Sequence, residues 1–279
     1  MEKPIIANKE VTLHIMRSFK LRTKKKLGQN FLVDEEIVNN IAEAAELTPE
    51  DTVLEVGPGI GTLTQALAET GAKVVAVEID RGLLPILDKT LHGYENVEII
   101  NQDILQLDIK QALGEKSFKV VANLPYYITT PIIFSLLEQK LPIERLVVMV
   151  QKEVAERMTA VPGGKTYGAL SVAMQYYTEP TLVFTVPANA FIPSPNVESA
   201  VVVCKTRTKP PVDVDEEVFF SVVKAAFSVR RKMLTNALKN IGISGEAVTA
   251  WLERANIDGK RRGETLSQEE FGRLANTFK

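Results

Sequence analysis

The sequence predicts an α/β fold in which a doubly wound sheet of seven strands is followed by a small all-α domain. Three observations support this prediction. Strand-like and helical segments alternate from Asp34 onward, which is typical of parallel βαβ units. A glycine-rich loop at 57–61 directly follows the first strand of that series. After residue 208, apolar residues recur only at the i, i+3 and i+4 spacing of helices.

The individual elements follow from local patterns. Asp34 is predicted to cap the first helix of the α/β part, because its side chain can accept from free amides of the first turn. Five strands alternate with helices and should be parallel, whereas the last two are joined by a loop too short for a crossover helix and should form an antiparallel pair. The predicted strands are 52–56, 73–79, 97–100, 118–123, 145–151, 181–186 and 199–206. The predicted helices are 34–47, 62–70, one from Asp80, 129–139, 167–177, 216–228, 232–242, 245–256 and 267–278.

Charge is distributed unevenly along the chain. Residues 1–30 hold 8 Lys and Arg against 2 acidic residues, net +6; residues 31–204 hold 11 against 23, net −12; residues 205–279 hold 14 against 10, net +4. We therefore expect a basic N-terminal arm over 1–30, an α/β domain over 31–208 and a helical domain over 209–279. Basic ends favour a polyanionic partner such as nucleic acid, although charge alone fits a solvated arm equally well.

Composition narrows the class of protein. With 45% hydrophobic and 24% charged residues, the sequence is typical of a soluble globular protein, and no run approaches the roughly 18 apolar residues of a membrane helix. Its first residues show no secretory signal, so we expect a cytoplasmic protein, without a membrane partner and monomeric. The single cysteine, Cys204, has no partner for an internal disulfide, and His14 and His92 lack metal-ligand spacing, so no metal is expected.

The loop at 57–61 indicates a nucleotide-like ligand. Its glycines let the backbone turn tightly and approach a ligand closely, and Glu78 ends the next strand where a carboxylate can hold ribose hydroxyls. A dinucleotide site would have the spacing G-x-G-x-x-G, but position 62 is Thr. S-adenosylmethionine therefore fits better than a pyrophosphate ligand. Asp103, after the third strand, can accept from an adenine amino group or can simply cap its own loop.

The stretch Asn-Leu-Pro-Tyr, Asn123 to Tyr126, ends the fourth strand beside this loop. A simple strand-to-helix turn would explain it, because Pro125 disfavours a helical Leu124. Its position beside the ligand crevice favours chemistry on an adenine N6. If the Asn123 side-chain oxygen and a backbone carbonyl of the Leu124–Pro125 turn accept the two amine hydrogens, the lone pair is directed at a methyl sulfonium. Tyr126 offers a face on which an extruded base can stack.

On these residues the sequence resembles the rRNA adenine N6,N6-dimethyltransferase family. Besides "LEVGPGIG" and "NLPY", the resemblance includes "KKKLGQNFLVD" from Lys24, "FIPSPNVESAVV" from Phe191, "FSVRRKML" from Phe227 and "RRGETLS" from Arg261, and so spans almost the whole chain. It implies a Rossmann-like class I S-adenosylmethionine methyltransferase domain with S-adenosylhomocysteine as product. The cofactor site would comprise Asn30, Leu32, Gly57, Gly59, Glu78, Asp103 and Asn123; the catalytic site would comprise Asn123, Leu124, Pro125, Tyr126 and Phe191, with Tyr126 and Phe191 enclosing the target adenine.

The resemblance also implies a substrate. The sequence is most similar to the bacterial small-subunit branch of this family. That similarity implies dimethylation of N6 on two adjacent adenosines in a 3′-terminal hairpin loop of 16S rRNA, with a role in small-subunit biogenesis. The helical domain would help to bind the subunit. We place the RNA surface on two basic clusters, Lys24, Lys25 and Lys26, and Arg230, Arg231 and Lys232. One departure is Gly263, where the family usually has Ala or Pro, and it predicts no change in catalysis.

Three alternatives remain. Large-subunit rRNA methyltransferases of the Erm type usually carry Asn-Ile-Pro-Tyr and lack the C-terminal motifs found here. DNA adenine methyltransferases more often carry Asp/Asn-Pro-Pro-Tyr, which Leu124 disfavours. A ribosome assembly or transcription factor could use the same scaffold without activity, although the intact Glu78, Asp103 and Asn123 argue against this.

Overall fold

The computed structural model describes residues 3–229 and 232–278. Its strands are β1 (Phe31–Leu32), β2 (Thr52–Val56), β3 (Lys73–Val77), β4 (Val97–Ile100), β5 (Phe118–Asn123), β6 (Ile143–Gln151), β7 (Thr178–Val186), β8 (Phe191–Ile192) and β9 (Ser199–Thr206). Its helices are α1 (Lys9–Ser18), α2 (Glu35–Ala44), α3 (Thr62–Glu69), α4 (Leu84–Thr90), α5 (Ile109–Leu113), α6 (Thr129–Glu138), α7 (Lys152–Thr159), α8 (Ala169–Tyr177), α9 (Glu216–Phe227), α10 (Leu234–Ala237), α11 (Gly245–Arg254) and α12 (Gln268–Thr277). Short 3-10 turns supplement these helices.

Seven strands form one sheet in the order β4-β3-β2-β5-β6-β9-β7. The first five strands in this order are parallel to one another, and β9 pairs antiparallel with β6. The predicted seven-stranded α/β fold is therefore confirmed. The strand order changes direction between β2 and β5, which leaves a crevice at the carboxyl ends of these two strands, where ligands bind in doubly wound sheets.

The chain divides into two compact units: residues 1–155 with 181–206, and residues 156–180 with 207–279. The sequence prediction counted 156–180 with the α/β part, but this segment belongs to the helical unit. Tyr176 on α8 stacks on Phe219 of α9 with ring centroids 4.9 Å apart. Periodicity marks this segment as helical without indicating what it packs against, because partner choice depends on distant residues.

The α/β unit has a core between its sheet and helices α2 and α3. Apolar side chains of α2 and α3, such as Ile41 and Leu67, are fully buried against strand residues including Val74 and Val121. Asp34 caps α2 as predicted, accepting from the Ile37 amide at 3.1 Å. This packing fixes α3 against the sheet, and α3 begins directly after the glycine-rich loop.

The N-terminal segment folds onto the same unit. Ile6 and Ile15 are buried with Leu83 and Ile86 of the segment that follows β3. Gln65 on α3 accepts from the Ile6 amide at 2.8 Å. The segment predicted as a basic arm thus includes an ordered helix, α1. Lys and Arg determine the net charge of this segment, whereas buried apolar residues such as Ile6 and Ile15 anchor it.

The "RRGETLS" motif has a structural role in the helical unit. Arg261 makes an ion pair with Glu270 and donates to the Thr265 carbonyl at 2.6 Å. Ser267 and Glu270 form a reciprocal capping box at the start of α12. Hydrogen bonding to Glu270 is the main cause of the raised pKa of Arg261. The motif therefore joins the preceding loop to the last helix.

Candidate active site

A cleft opens at the carboxyl ends of β2, β3 and β5, on the α/β unit. Its empty space is about 1060 Å³, a value that includes space open to solvent. Ten of the predicted site residues line it: Asn30, Leu32, Gly57, Gly59, Glu78, Asp103, Asn123, Leu124, Pro125 and Tyr126. The crevice is where the strand order reverses, as ligand sites of doubly wound sheets generally are.

The glycine-rich loop forms one wall. Gly57, Gly59 and Gly61 have φ values of +73°, +62° and +92°, a left-handed conformation that other residues adopt only with strain. At Gly59 a Cβ atom would also lie 3.3 Å from the Phe31 ring. The loop therefore needs glycine both for its backbone turn and for the close approach of β1.

Glu78 lies just beyond β3 with its carboxylate held by the backbone. The Gly59 amide donates to Oε2 at 3.2 Å, and the Asp80 amide donates to Oε1 at 2.7 Å. Burial raises the pKa of Glu78, and these backbone donors only partly offset that effect. The carboxylate is thus fixed at the edge of the cleft next to the glycine-rich loop.

Glu55, which sequence reasoning missed, is the most buried acid of the cleft. It lies on β2, is only 1% exposed, and its Oε2 has no hydrogen-bond partner among the described residues. Burial raises its pKa to about 8; the nearby Glu78 adds to the effect, and the dipole of the Thr64 hydroxyl partly offsets it. The available signal was a charged residue inside the apolar strand "TVLEV", where a buried acid needs an explanation.

The ionisable side chains of the cleft wall are acidic, with no basic residue among those described. Glu55, Glu78 and Asp103 line it, and none of the described side chains in its wall is Lys, Arg or His. Asp103 also caps its own loop, because its Oδ1 accepts from the Leu105 amide at 3.0 Å. The two interpretations of Asp103 are therefore compatible. Such a cleft favours a cationic ligand over a pyrophosphate.

The Asn123–Tyr126 stretch turns the chain from β5 into α6. The Pro125 carbonyl already accepts from the Ile128 amide at 3.2 Å and from the Thr129 hydroxyl at 2.9 Å. The Asn123 side chain and the Leu124 carbonyl receive no hydrogen bond from the rest of the described chain. Of the two carbonyls in the turn, that of Leu124 is therefore the free acceptor.

The two aromatic residues predicted around the target differ in position. Tyr126 lines the cleft, and its hydroxyl lies 2.6 Å from the Ser199 hydroxyl on β9, which fixes the ring. Burial raises the pKa of Tyr126. Phe191 is 1% exposed in the core, pairs with Leu32 across β1 and β8, and is not among the described residues of the cleft wall.

The structure describes only some of the residues in the two predicted basic clusters. Lys24 donates to the Asp80 carboxylate at 2.6 Å, and Gln29 donates to the same carboxylate at 2.8 Å. Burial tends to raise the pKa of Asp80, but these donors and the Gly82 amide outweigh it and lower the pKa. Lys26 and Lys232 are exposed. Arg230, Arg231 and the side chain of Lys25 lie outside the described part.

Comparison with known proteins gives consistent results. The family model for ribosomal RNA adenine dimethylase matches residues 20–279. Proteins named ribosomal RNA small subunit methyltransferase A are 50% identical in Alkaliphilus metalliredigens, over 98% of this chain and 97% of that protein, and 48% identical in Clostridioides difficile, over 97% and 96%. The Bacillus mycoides protein of that name is 51% identical over 98% of this chain and 97% of its own length.

Two solved structures have similar folds. The 23S rRNA methyltransferase ErmE is 30% identical with a TM-score of 0.68, over 89% of this chain and 99% of that one. A dimethyladenosine transferase from Plasmodium falciparum is 26% identical with a TM-score of 0.73, over 88% and 95%. The α/β unit is thus a Rossmann-like methyltransferase fold. None of the helices described here is long and apolar enough to cross a membrane.

Proposed function

The chain belongs to the ribosomal RNA adenine dimethylase family, and from this membership we propose that it transfers methyl groups from S-adenosylmethionine to N6 of adenines in small-subunit rRNA. The structural observation that supports this proposal is the cleft, whose wall combines three carboxyl groups with the Asn-Leu-Pro-Tyr turn and contains no described basic side chain. A site of this charge suits a cationic nucleoside cofactor and a neutral adenine.

The residues present fit that cofactor. Glu78 accepts from the ribose hydroxyls, Asp103 from the adenine amine, and Gly57 and Gly59 admit the amino-acid end. Asn30, Leu32 and Asn123 complete the wall. A dinucleotide would place its pyrophosphate against the same carboxylates, which is unfavourable. When bound, S-adenosylmethionine supplies an electrophilic methyl group on a sulfonium.

The chain's own contribution is orientation of the amine. The Asn123 side-chain oxygen and the Leu124 carbonyl accept one N6 hydrogen each, which draws the lone pair out of conjugation with the ring and directs it toward the methyl donor. Pro125 keeps the Leu124 carbonyl in place, because its own carbonyl is held by Ile128 and Thr129. After the first transfer one hydrogen remains, which a single acceptor can hold.

The aromatic residues would bind the extruded base. Tyr126, whose ring is fixed through Ser199, offers one face. Phe191 offers the second face only if β8 shifts, because its ring is buried. The side chains of Leu124, Pro125 and Tyr126 beside the amine carry no charge that an added methyl would leave unpaired, so we propose two methylations of each adenine.

The proposed substrate is a pair of adjacent adenosines in a 3′-terminal hairpin loop of 16S rRNA, whose unstacked bases lower the cost of extrusion. The two basic clusters would contact its phosphates and the helical unit would contact the small subunit. We further propose that the protein is a monomer, acts in the cytoplasm and requires no metal ion. We also propose that it takes part in small-subunit biogenesis.

The experiment uses labelled S-adenosylmethionine with unmodified small subunits, large subunits and DNA in parallel. We expect N6,N6-dimethyladenosine at the two hairpin-loop positions of small-subunit rRNA as the end product, by nucleoside mass spectrometry and mapping. Label only in the large subunit would make the protein an Erm-type enzyme, and label only in DNA would make it a DNA methyltransferase. Subunit binding without label at saturating cofactor would make it an inactive assembly factor. The Asn123→Ala variant is the matched control for background label.

A further inference from the structure

The Glu55 carboxyl group is buried in the cleft wall without a partner for one of its oxygens. It is 1% exposed, and Oε2 receives no hydrogen bond from any described residue. The Thr62 hydroxyl, in the first turn of α3 and also on the cleft wall, is buried without a hydrogen bond to any described residue as well. Buried polar atoms normally have partners, so two such atoms on the wall of one cleft indicate a site that is completed by a ligand or by its water.

The groups that face Glu55 cannot compensate a negative charge. Glu78, just beyond β3, acts on Glu55 electrostatically, and Asp103, in the loop after β4, lines the same cleft; both are acids. The remaining titratable groups of the described cleft wall are the phenols of Tyr126 and Tyr127, which are neutral near pH 7. Gln29 and Asn30 contribute uncharged amides. A charged Glu55 would therefore be both desolvated and repelled.

We propose that Glu55 is protonated in the cofactor-free protein and releases this proton to solvent when S-adenosylmethionine binds. This inference rests on the proposed function. The O–H bond of the carboxylic acid breaks, the proton goes to the buffer, and the carboxylate that remains is compensated by the cofactor, whose sulfonium and ammonium groups outweigh its carboxylate by one charge. The pKa of about 8 is consistent with a proton that is present at neutral pH but held weakly enough to be displaced.

The same argument separates cofactor from product. S-adenosylhomocysteine has lost the sulfonium and carries no net charge, so it stabilises the Glu55 carboxylate less. Methyl transfer would then favour the return of a proton to Glu55. The protonation state of this carboxyl group thus contributes to the ratio of the affinity for S-adenosylmethionine to the affinity for S-adenosylhomocysteine. This ratio should increase as pH rises toward 8.

The test is calorimetric titration of the protein with S-adenosylmethionine at pH 7 in buffers that differ in ionisation enthalpy. The number of protons released is the slope of the observed enthalpy against that ionisation enthalpy. We expect a value near one for S-adenosylmethionine and a smaller value for S-adenosylhomocysteine. Affinity for S-adenosylmethionine should rise about tenfold per pH unit between pH 6 and 7. A pH-independent affinity from pH 6 to 8 would overturn the inference without any variant.

Variants assign the proton. Glu55→Gln keeps the shape and mimics the protonated state, so its proton release should fall to near zero and its affinity should lose the pH dependence. Glu98→Gln, an exposed acid on β4 paired with Lys73, is the matched control and should release the same proton as the unaltered protein. Unchanged release by Glu55→Gln would show that another group releases the proton and would overturn the inference. If the unaltered protein does not bind S-adenosylmethionine at all, both the proposed function and this inference are wrong.

Discussion

The Asn123 side chain lines the cleft and neither accepts nor donates a hydrogen bond within the described chain. We expect Asn123→Ala to lower turnover by roughly 10²-fold or more, because a preorganised acceptor for the target amine is removed. Single-turnover rates on saturating small subunits measure this, and calorimetry should show a smaller effect on cofactor affinity. Turnover close to that of the unaltered protein would contradict the proposed role.

Glu78 is expected to act on the cofactor instead. Glu78→Ala should weaken S-adenosylmethionine binding by roughly 1–3 kcal/mol, since the ribose hydroxyls and the Gly59 amide lose their common acceptor. Titration calorimetry checks this, with Glu98→Ala as the surface control. If both variants bind the cofactor as the unaltered protein does, Glu78 does not hold the ribose.

Glu55 should also make the stability of the cofactor-free protein depend on pH. Its pKa is about 8 in the folded protein, against 4.5 for an unperturbed glutamate, so between these values the folded state binds more protons than the unfolded chain. The favourable contribution is complete below the lower value and is lost as pH rises toward 8, by up to about 1.4 kcal/mol per pH unit. Urea unfolding from pH 5 to 8 should show this slope, and Glu55→Gln should reduce it. An equal slope in both proteins would contradict the raised pKa.

At the scale of elements, the turn before α12 is packed too closely for a side chain at Gly263. A Cβ atom there would lie 2.8 Å from the Ala226 carbonyl oxygen on α9, a backbone atom that can move only with its helix. We therefore expect Gly263→Ala to lower the melting temperature. Gly245→Ala is a suitable control, because its nearest neighbour is the flexible Lys239 side chain. Equal melting temperatures for the two variants would show that α9 accommodates the methyl group.

The molecule as a whole combines an acidic middle with basic ends, so its affinity for RNA should depend on a few clusters. Replacing Arg230, Arg231 and Lys232 by Gln should reduce the salt slope of small-subunit binding by up to about three units, one for each phosphate that the variant no longer neutralises. Lys110→Gln with Lys116→Gln, both exposed on the acidic part of the chain, is the control. If the cluster variant keeps both the salt slope and the affinity of small-subunit binding, these three side chains do not contact the RNA.

The sequence alone determined the fold class, the seven strands of the main sheet and most of the cleft, but not the short pair of β1 and β8. Alternating periodicity and a glycine-rich loop are local signals, and in a parallel sheet the carboxyl ends of the strands meet at one edge. Gly57, Glu78, Asp103 and Asn123 could therefore be assigned to one site from their positions along the chain, and they line one cleft. Their proposed contacts with cofactor and base remain predictions.

Only the tertiary structure decided which groups are buried, paired or free. It buried Glu55 without a partner, tied Lys24 to Asp80, left the Leu124 carbonyl free where that of Pro125 is occupied, and packed 156–180 into the helical unit. Each outcome depends on residues that are far apart in sequence or on competition between neighbouring acceptors. Periodicity and motif spacing contain neither kind of information, because burial and pairing are properties of the packed chain.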